Sequence, residues 1–439
     1  MVRATWTTHR RLILVAVLLA VSLFGDGLLY AVLPNRPGEF NVTVWQVGIL
    51  LSANRMVRLL TNELAGRVRS AITQRRHADR NLVIASLLGG VITIGYALPW
   101  GFVWLLALRV LWGACWSVLS IGGSMTVIEE STLHNRGTVV GSFHGMIRGV
   151  GGGVVLLGGV LVDLVGHAGT FLMLGAFGLV MTGLSGARLI WSRAEHSSSN
   201  SSREQFDSTA SGDGRSALET PDAGVSSDSF RADTQNVGAA PRELTFGVWL
   251  IIASIMISGE GIATLTGAIV ADHIAPEASL TPASATITGV LLSVWKFGEL
   301  PLGLIMGWFG DRFGRILTAG IVIAFQILVV VAMVSVDDWR LLTATLTLFL
   351  ISAGGLRLTA MAMAADYVAV WGGDVAMGRV STVSDISRAV GPLAYFTIYS
   401  RIGVPGIGIV TVLVLSLCLA VFARQSIGAR ISLSELSKR

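Results

Sequence analysis

The sequence predicts an all-α membrane protein of twelve transmembrane helices, arranged as two similar six-helix bundles. Three observations lead there. Of 439 residues, 52% are hydrophobic and only 13% charged, with a mean hydropathy of +0.69, whereas a soluble domain carries about 25% charged residues. The apolar residues fall into twelve runs of the length a spanning helix needs, about 20 residues. The first run of each half carries one carboxylate between two glycines, Gly25-Asp26-Gly27 and Gly259-Glu260-Gly261. A carboxylate at the bilayer midplane costs about 2.5–3.5 kcal/mol on insertion scales. One at matching places in both halves therefore points to a duplicated architecture with a polar path near its centre.

The runs fall at 11–33, 44–66, 80–99, 102–127, 138–162, 168–190, 246–271, 285–307, 316–335, 340–365, 380–401 and 405–424. Arg10 and Arg11 before the first run imitate a signal peptide, but no small-residue cleavage pattern follows, so this run is read as an uncleaved helix. Pro99-Trp100-Gly101 marks a short turn between the third and fourth runs, and Asp337-Asp338 lies between the ninth and tenth. Residues 192–243 are rich in Ser, Gly, Asp, Thr and Arg, and read as a flexible cytoplasmic linker. The expected organisation is a bundle over 1–191, this linker, a second bundle over 244–424 and a tail over 425–439.

Arginine and lysine near span ends favour the cytoplasm. Arg67, Arg69, Arg75, Arg76 and Arg80 follow the second run, and Arg312 and Arg315 follow the eighth. The N-terminus carries Arg3, Arg10 and Arg11, and the tail Arg424, Arg430, Lys438 and Arg439. An even number of spans puts all of these on one side. Both termini are expected in the cytoplasm, in a multi-pass protein of the plasma (cell inner) membrane. Cys115 and Cys418 both sit in apolar runs, which suits packing better than a disulfide or a metal. The net charge of +5 does not indicate nucleic acid. The seven histidines are scattered without ligand spacing, and no phosphate-binding G-x-x-x-x-G-K-[ST] loop occurs. No metal, cofactor or enzymatic activity is expected, and a monomer is.

An internal repeat supports the duplication. Gly48-Ile-Leu-Leu-Ser52 aligns with Gly289-Val-Leu-Leu-Ser293, which brings Arg55 onto Lys296, Arg58 onto Glu299 and Gly66 onto Gly307. With small changes of offset, Asp26 meets Glu260 and Arg148-Gly-Val-Gly151 meets Arg388-Ala-Val-Gly391, in the same order. Two six-helix halves repeated in parallel imply a solute site near the midplane between them, reached by rocking of one half against the other.

The stretch Gly307-Trp-Phe-Gly310-Asp311-Arg312-Phe-Gly314-Arg315 resembles the loop signature G-x-x-x-D-R-x-G-R of the major facilitator superfamily. The resemblance extends over nearly the whole chain and implies that fold. It also implies that Gly307, Asp311, Arg312, Gly314 and Arg315 serve a cytoplasmic gate. Arg58 and Glu63, near the cytoplasmic half of the second run, are assigned to the same gate. The first half departs from the signature: Ser70 stands where it has Asp, and Glu63 is the nearest substitute. Leu105-x-x-x-Arg109-x-x-x-Gly113 partly resembles the family's helix 4 motif, whose Arg is associated with proton coupling, although Trp112 replaces a polar residue. Gly145-x-x-x-Gly149, Gly151-Gly-Gly153 and Gly158-Gly159 resemble the glycine-rich helix 5 of exporters, without its proline. Tight helix packing is the alternative for these glycines.

Among charges in the runs, Lys296 with Glu299, and Asp385 with Arg388, are three residues apart and share a face, so either a local ion pair or contact with the solute is expected of them. Asp26 and Glu260 have no such neighbour. Together with Arg109 they are the candidate proton-coupling residues, since a carboxylate buried away from positive charge is poised to carry a proton. Ion pairing with Arg109 or Arg148 is the alternative. His144 lies one turn before Arg148 and is a possible assistant. Arg55, Arg148, Lys296, Arg388 and Trp116 are the candidate solute-binding residues. The expected function is secondary active transport of a small organic solute, coupled to protons, with export favoured by the helix 4 and 5 resemblance. Uptake or facilitated diffusion of an organic anion is the alternative, and a membrane sensor without transport is a third reading. The expected partners are the solute, protons and the bilayer.

Overall fold

The computed structural model describes residues 10–72, 74–130, 136–210, 242–371 and 373–436. The side chains of Ser70, His144, Asp311, 191–210, 242–248, 364–381 and 422–436 are among those outside that description. The chain forms α1 (Arg10–Asn35), α2 (Val44–Ala71), α3 (Arg75–Gly95) and α4 (Phe102–Glu130). The helical stretch Arg136–Ala210 is broken at Gly166 into α5 (136–165) and α6 (167–210). The second half comprises α7 (Arg242–Ile269, continued by a π turn to Ile274), α8 (Ser284–Phe313), α9 (Arg315–Val334) and α10 (Trp339–Trp371). The stretch Gly373–Leu436 is broken at Gly403 into α11 (373–402) and α12 (404–436).

Eight of these stretches are long and apolar enough to cross a membrane. Two of the eight, Gly145–Ile190 and Thr382–Val421, each hold two successive spans, because Gly166 (φ 78°) and Gly403 (φ 70°) take a backbone conformation that breaks a helix. Two further helices, α2 and α8, complete the set; α2 is less apolar because it carries Arg55, Arg58 and Glu63, and α8 holds Lys296 and Glu299 in an otherwise apolar run. The described residues thus form twelve membrane helices, in an all-helical membrane fold.

Several boundaries differ from the sequence-based expectation. Helix α3 begins at Arg75 rather than 80, and α8 runs to Phe313, so the loop expected after the eighth span shrinks to Gly314, with φ 88°. Apolar runs mark the bilayer, and helices run past it where charged side chains reach the water. The linker expected over 192–243 differs similarly. Its backbone remains helical to Ala210, because no Gly or Pro interrupts the ladder between Gly186 and Gly212. Residues 211–241 lie outside the described residues, and of the tail only the backbone to Leu436 is described.

Local chemistry sets the turns on the side away from the termini. The backbone N–H of Thr43 donates to Gln46 Oε1 (2.8 Å) in the capping box that starts α2. Asn41 Nδ2 donates to the Pro99 carbonyl at 2.7 Å, tying this turn to the one before α4. Inside the first half, Ser22, Ser86 and Thr182 join α1, α3 and α6 by hydrogen bonds of 2.8 and 2.9 Å. Such polar links matter where lipid removes the hydrophobic drive between helices.

The halves meet along two equivalent seams, α2 against α11 and α5 against α8. These are the helices of the internal repeat. Ser52 Oγ donates to the Ala389 carbonyl at 2.5 Å, and its repeat partner Ser293 donates to the Gly152 carbonyl at 3.1 Å. A Cβ on Gly48 would stand 2.7 Å from Phe396 Cβ, and one on Gly289 would stand 2.7 Å from the Val155 carbonyl oxygen. Each seam is therefore closed by a repeated Gly-x-x-x-Ser face.

Above the seams, on the side away from the termini, the closure is polar. Asn35 Nδ2 at the end of α1 donates to the Gly267 carbonyl and to Thr288 Oγ1, both at 3.1 Å. Ser284 Oγ donates to Asn35 Oδ1 at 2.9 Å. The Asp163 carboxylate accepts from the N–H and Oγ1 of Thr286, each at 2.6 Å, and pairs with Arg36. It thereby caps the first turn of α8 from across the interface, where unpaired N–H groups and the helix dipole both favour an anion.

Replacing Gly48 or Gly289 with Leu is expected to cost about 1–3 kcal/mol and to lower the unfolding temperature in detergent. Gly66→Leu, where a Cβ would meet nothing within 4 Å, is expected to change stability by less than about 0.5 kcal/mol.

Candidate functional site

Below this closure the seams diverge around a cavity of about 290 Å³. Asp26, Arg55, Trp116, Arg148, Glu260, Lys296 and Arg388 all line it, so seven residues singled out from sequence meet in one place. Tyr30, Trp295, Glu299 and Arg357 complete its polar wall. Arg109 does not reach the cavity. It is fully buried behind Asp26.

Two networks organise the charges. In the first, Arg109 Nη1 donates to Asp26 Oδ1, which also accepts from Asn54 Nδ2 at 3.4 Å. Arg109 Nε donates to the Leu50 carbonyl at 3.0 Å. The Tyr30 hydroxyl accepts from Arg109 Nη2 and from Arg55 Nε, both at 3.3 Å, and donates to the Leu51 carbonyl at 3.2 Å. Both guanidinium groups also lie over the Tyr30 ring, 5.3 and 5.8 Å from its centre. Arg55 in turn pairs with Glu260 of the other half. Asp26 and Glu260 are thus the two ends of one chain, Asp26–Arg109–Tyr30–Arg55–Glu260.

In the second network Glu299 holds two guanidinium groups, Arg148 from the first half and Arg357 from its own, the latter at 2.6 Å. Arg58 reaches Asp385 across the interface at 3.5 Å. The local pairs expected from spacing, Lys296 with Glu299 and Asp385 with Arg388, do not form. Arginines on neighbouring helices take those carboxylates, each through one guanidinium nitrogen. Lys296 instead lies 5.9 Å over the Trp295 ring. Arg388 Nε is buried without a hydrogen-bond partner. Among the described residues neither cation has a carboxylate within 4.0 Å, so the cavity keeps an excess of positive charge.

The residues assigned to a gate are dispersed. Arg58 sits in the membrane beside Asp385, while Glu63 pairs with Arg67 on the exposed surface of α2. Arg315 Nη1 donates to the Ala362 carbonyl at 2.6 Å. Arg312 lies over Trp308 and Phe313. A Cβ on Gly307 would meet nothing within 4 Å. The Asp311 side chain and that of His144 lie outside the described residues. In the first half, where Ser70 replaces the signature Asp, the arginines find carboxylates on α3 and α4. Arg69 pairs with Glu129, and Arg11 pairs with Asp79 at 2.8 Å, Glu129 at 2.7 Å and Glu130 at 3.1 Å. Sequence reasoning missed Glu129 and Glu130 because Glu129 sits 60 residues from Arg69 and Glu130 sits 119 from Arg11 in the chain. It missed Tyr30 because a single tyrosine on an apolar helix carries no pattern; its position one turn after Asp26 was the available signal.

The helix 5 glycines divide into two sets. Gly152, Gly158 and Gly159 abut Phe297, Leu28 and Ala285, whereas a Cβ on Gly145, Gly149, Gly151 or Gly153 would meet nothing within 4 Å. Packing accounts for the first set only.

This architecture is the fold of the major facilitator superfamily of membrane transporters. Two solved structures that share it are of a bacterial homologue of the human lysosomal transporter Spinster. In its inward-facing and unoccupied conformation the TM-score is 0.64 at 15% identity, over 94% of this chain and 96% of that one. In its inward-facing and occupied conformation the TM-score is 0.66 at 14% identity, with the same coverage. No protein-family model matches the sequence, and no curated protein does.

Asp26→Asn is expected to destabilise the protein by about 3–5 kcal/mol, because it leaves the buried Arg109 charge unpaired. Adding Arg109→Gln should recover part of that loss, as read by thermal unfolding in detergent.

Proposed function

We propose that the protein is a secondary transporter that moves a small organic anion by alternating access through the central cavity. One observation carries this reading: Lys296 and Arg388 line the cavity between the halves with no carboxylate within 4.0 Å among the described residues, at a depth where an unpaired cation is costly. An anionic solute would supply the missing partner. Trp116 and Trp295 would contact its apolar part.

The ion pairs that join the halves supply the coupling. Arg55–Glu260, Arg58–Asp385 and Arg148–Glu299 each cross the interface and must break when the halves part on the cavity side. A solute anion competes with Glu299 for Arg148. A proton on Glu260 releases Arg55, and one on Asp26 releases Arg109, with Tyr30 as the shared contact. Solute and proton thereby loosen the same interface, which is how binding shifts an alternating-access equilibrium.

The hydrogen-bonded closure at Asn35 and Asp163 favours a state open toward the termini. The basic residues Arg75, Arg76, Arg80 and Arg312 at that end favour a cytoplasmic location for it. The gate is assigned to the Gly307–Arg315 segment with Arg58 and Glu63, in a monomer with bundles over 1–191 and 244–424. Outward transport is favoured by the open-faced glycines of α5 and their resemblance to exporter helices.

The test is solute and proton flux in proteoliposomes across a panel of organic anions and lipophilic cations, normalised to folded protein. Anion flux is expected, and Lys296→Met or Arg388→Met should lower apparent affinity by about ten- to hundredfold, the worth of one hydrogen bond to a charged group. Asp26→Asn should abolish the accompanying proton movement. Flux of cations alone, or anion flux indifferent to both cationic substitutions, would defeat the reading.

A further inference from the structure

A second cavity, of about 380 Å³, lies between α2, α3 and α4 and shares no lining residue with the central one. Its floor is buried and apolar: Leu82, Ala85, Cys115 and Gly122. Its rim is apolar and exposed, with Leu64 61%, Ile84 47% and Leu88 49% accessible. These rim residues belong to membrane-facing stretches, so the mouth opens toward lipid rather than toward the solute path.

One end of this cavity is charged. Arg69 lines it, and Arg75, Arg76 and Arg80 follow within the next helical turns of the chain. Arg69 is engaged by Glu129, and Arg75 is 3.8 Å from the same carboxylate. Arg76 and Arg80 are exposed and have no carboxylate partner among the described residues. An apolar slot with an exposed apolar rim, followed at its charged end by guanidinium groups that have no carboxylate partner among the described residues, matches an amphiphile with an acyl tail and an anionic head.

We propose that this cavity is a binding site for one acyl chain of an anionic phospholipid, whose phosphate is held by Arg76 and Arg80. The arrangement has a consequence for the bundle. Arg69, Arg75, Glu129 and Glu130 lie at the same end, so a bound lipid would lock the ends of α2, α3 and α4 against one another.

Cys115 on the floor gives a direct readout, since Cys418, the other cysteine, is fully buried in the second half. The full-length protein carrying Cys418→Ala would be treated with a small maleimide in detergent, with added phosphatidylglycerol or with phosphatidylcholine of the same chains. Bound lipid would be counted in parallel by native mass spectrometry. Phosphatidylglycerol is expected to protect Cys115 at about tenfold lower concentration than phosphatidylcholine, the equivalent of one to two surface arginines. Arg76→Gln with Arg80→Gln should erase that difference, and Ala85→Trp, or Ala114→Leu if the first does not fold, should remove bound lipid. Equal protection by both lipids, no protection by either, or full lipid retention in the filled-cavity variant would overturn the proposal.

Discussion

Charge inside the membrane is the constraint on which this structure depends. Each buried guanidinium and carboxylate is stable at that depth only if it is paired or exposed to the cavity. The chain meets that condition by bringing helices together that are far apart in sequence. Arg109 on α4 compensates Asp26 on α1, and Arg55 on α2 compensates Glu260 on α7. Glu299 on α8 compensates arginines from α5 and α10. Removing α1, α2, α4, α7 or α8 would leave a charge stranded, so the ion pairs specify which of these helices must meet.

Symmetry gives the second layer of organisation. The repeated Gly-x-x-x-Ser faces of α2 and α8 each pack on the repeated helix of the opposite half, and each serine donates to a backbone carbonyl there. The ion pairs beside these seams join the same two pairs of helices, with the sign reversed on α2 and α8. Arg58 on α2 binds Asp385 on α11, while Glu299, at the repeat position of Arg58, binds Arg148 on α5. Glycine closes the seams tightly on one side. Ion pairs join the same helices nearer the cavity, Arg58 to Asp385 and Arg148 to Glu299.

Outside the central cavity the bundle ends differ in character. The end away from the termini is tied by short, mostly neutral or capped hydrogen bonds around Asn35 and Asp163. The end bearing the termini is tied within the first half by the cluster of Arg11, Arg69, Arg75, Asp79, Glu129 and Glu130. That cluster supplies the acid that Ser70 does not, from α4 instead of from the loop.

The sequence by itself determined the membrane character, the twelve spans and the two-fold repeat, because hydropathy and chain order are local properties that need no knowledge of contacts. It also determined which costly residues had to be accounted for, since Asp26, Arg55, Arg148, Glu260, Lys296 and Arg388 stand out by price of burial alone, and all six line the cavity. Only the tertiary structure decided who pairs with whom. Spacing suggested Lys296 with Glu299 and Asp385 with Arg388, but a helix neighbour three residues away competes poorly with a guanidinium from the facing helix. Asn35, Asp163 and Glu129 were invisible for the same reason: their partners lie on other helices, and long-range proximity leaves no trace in local pattern.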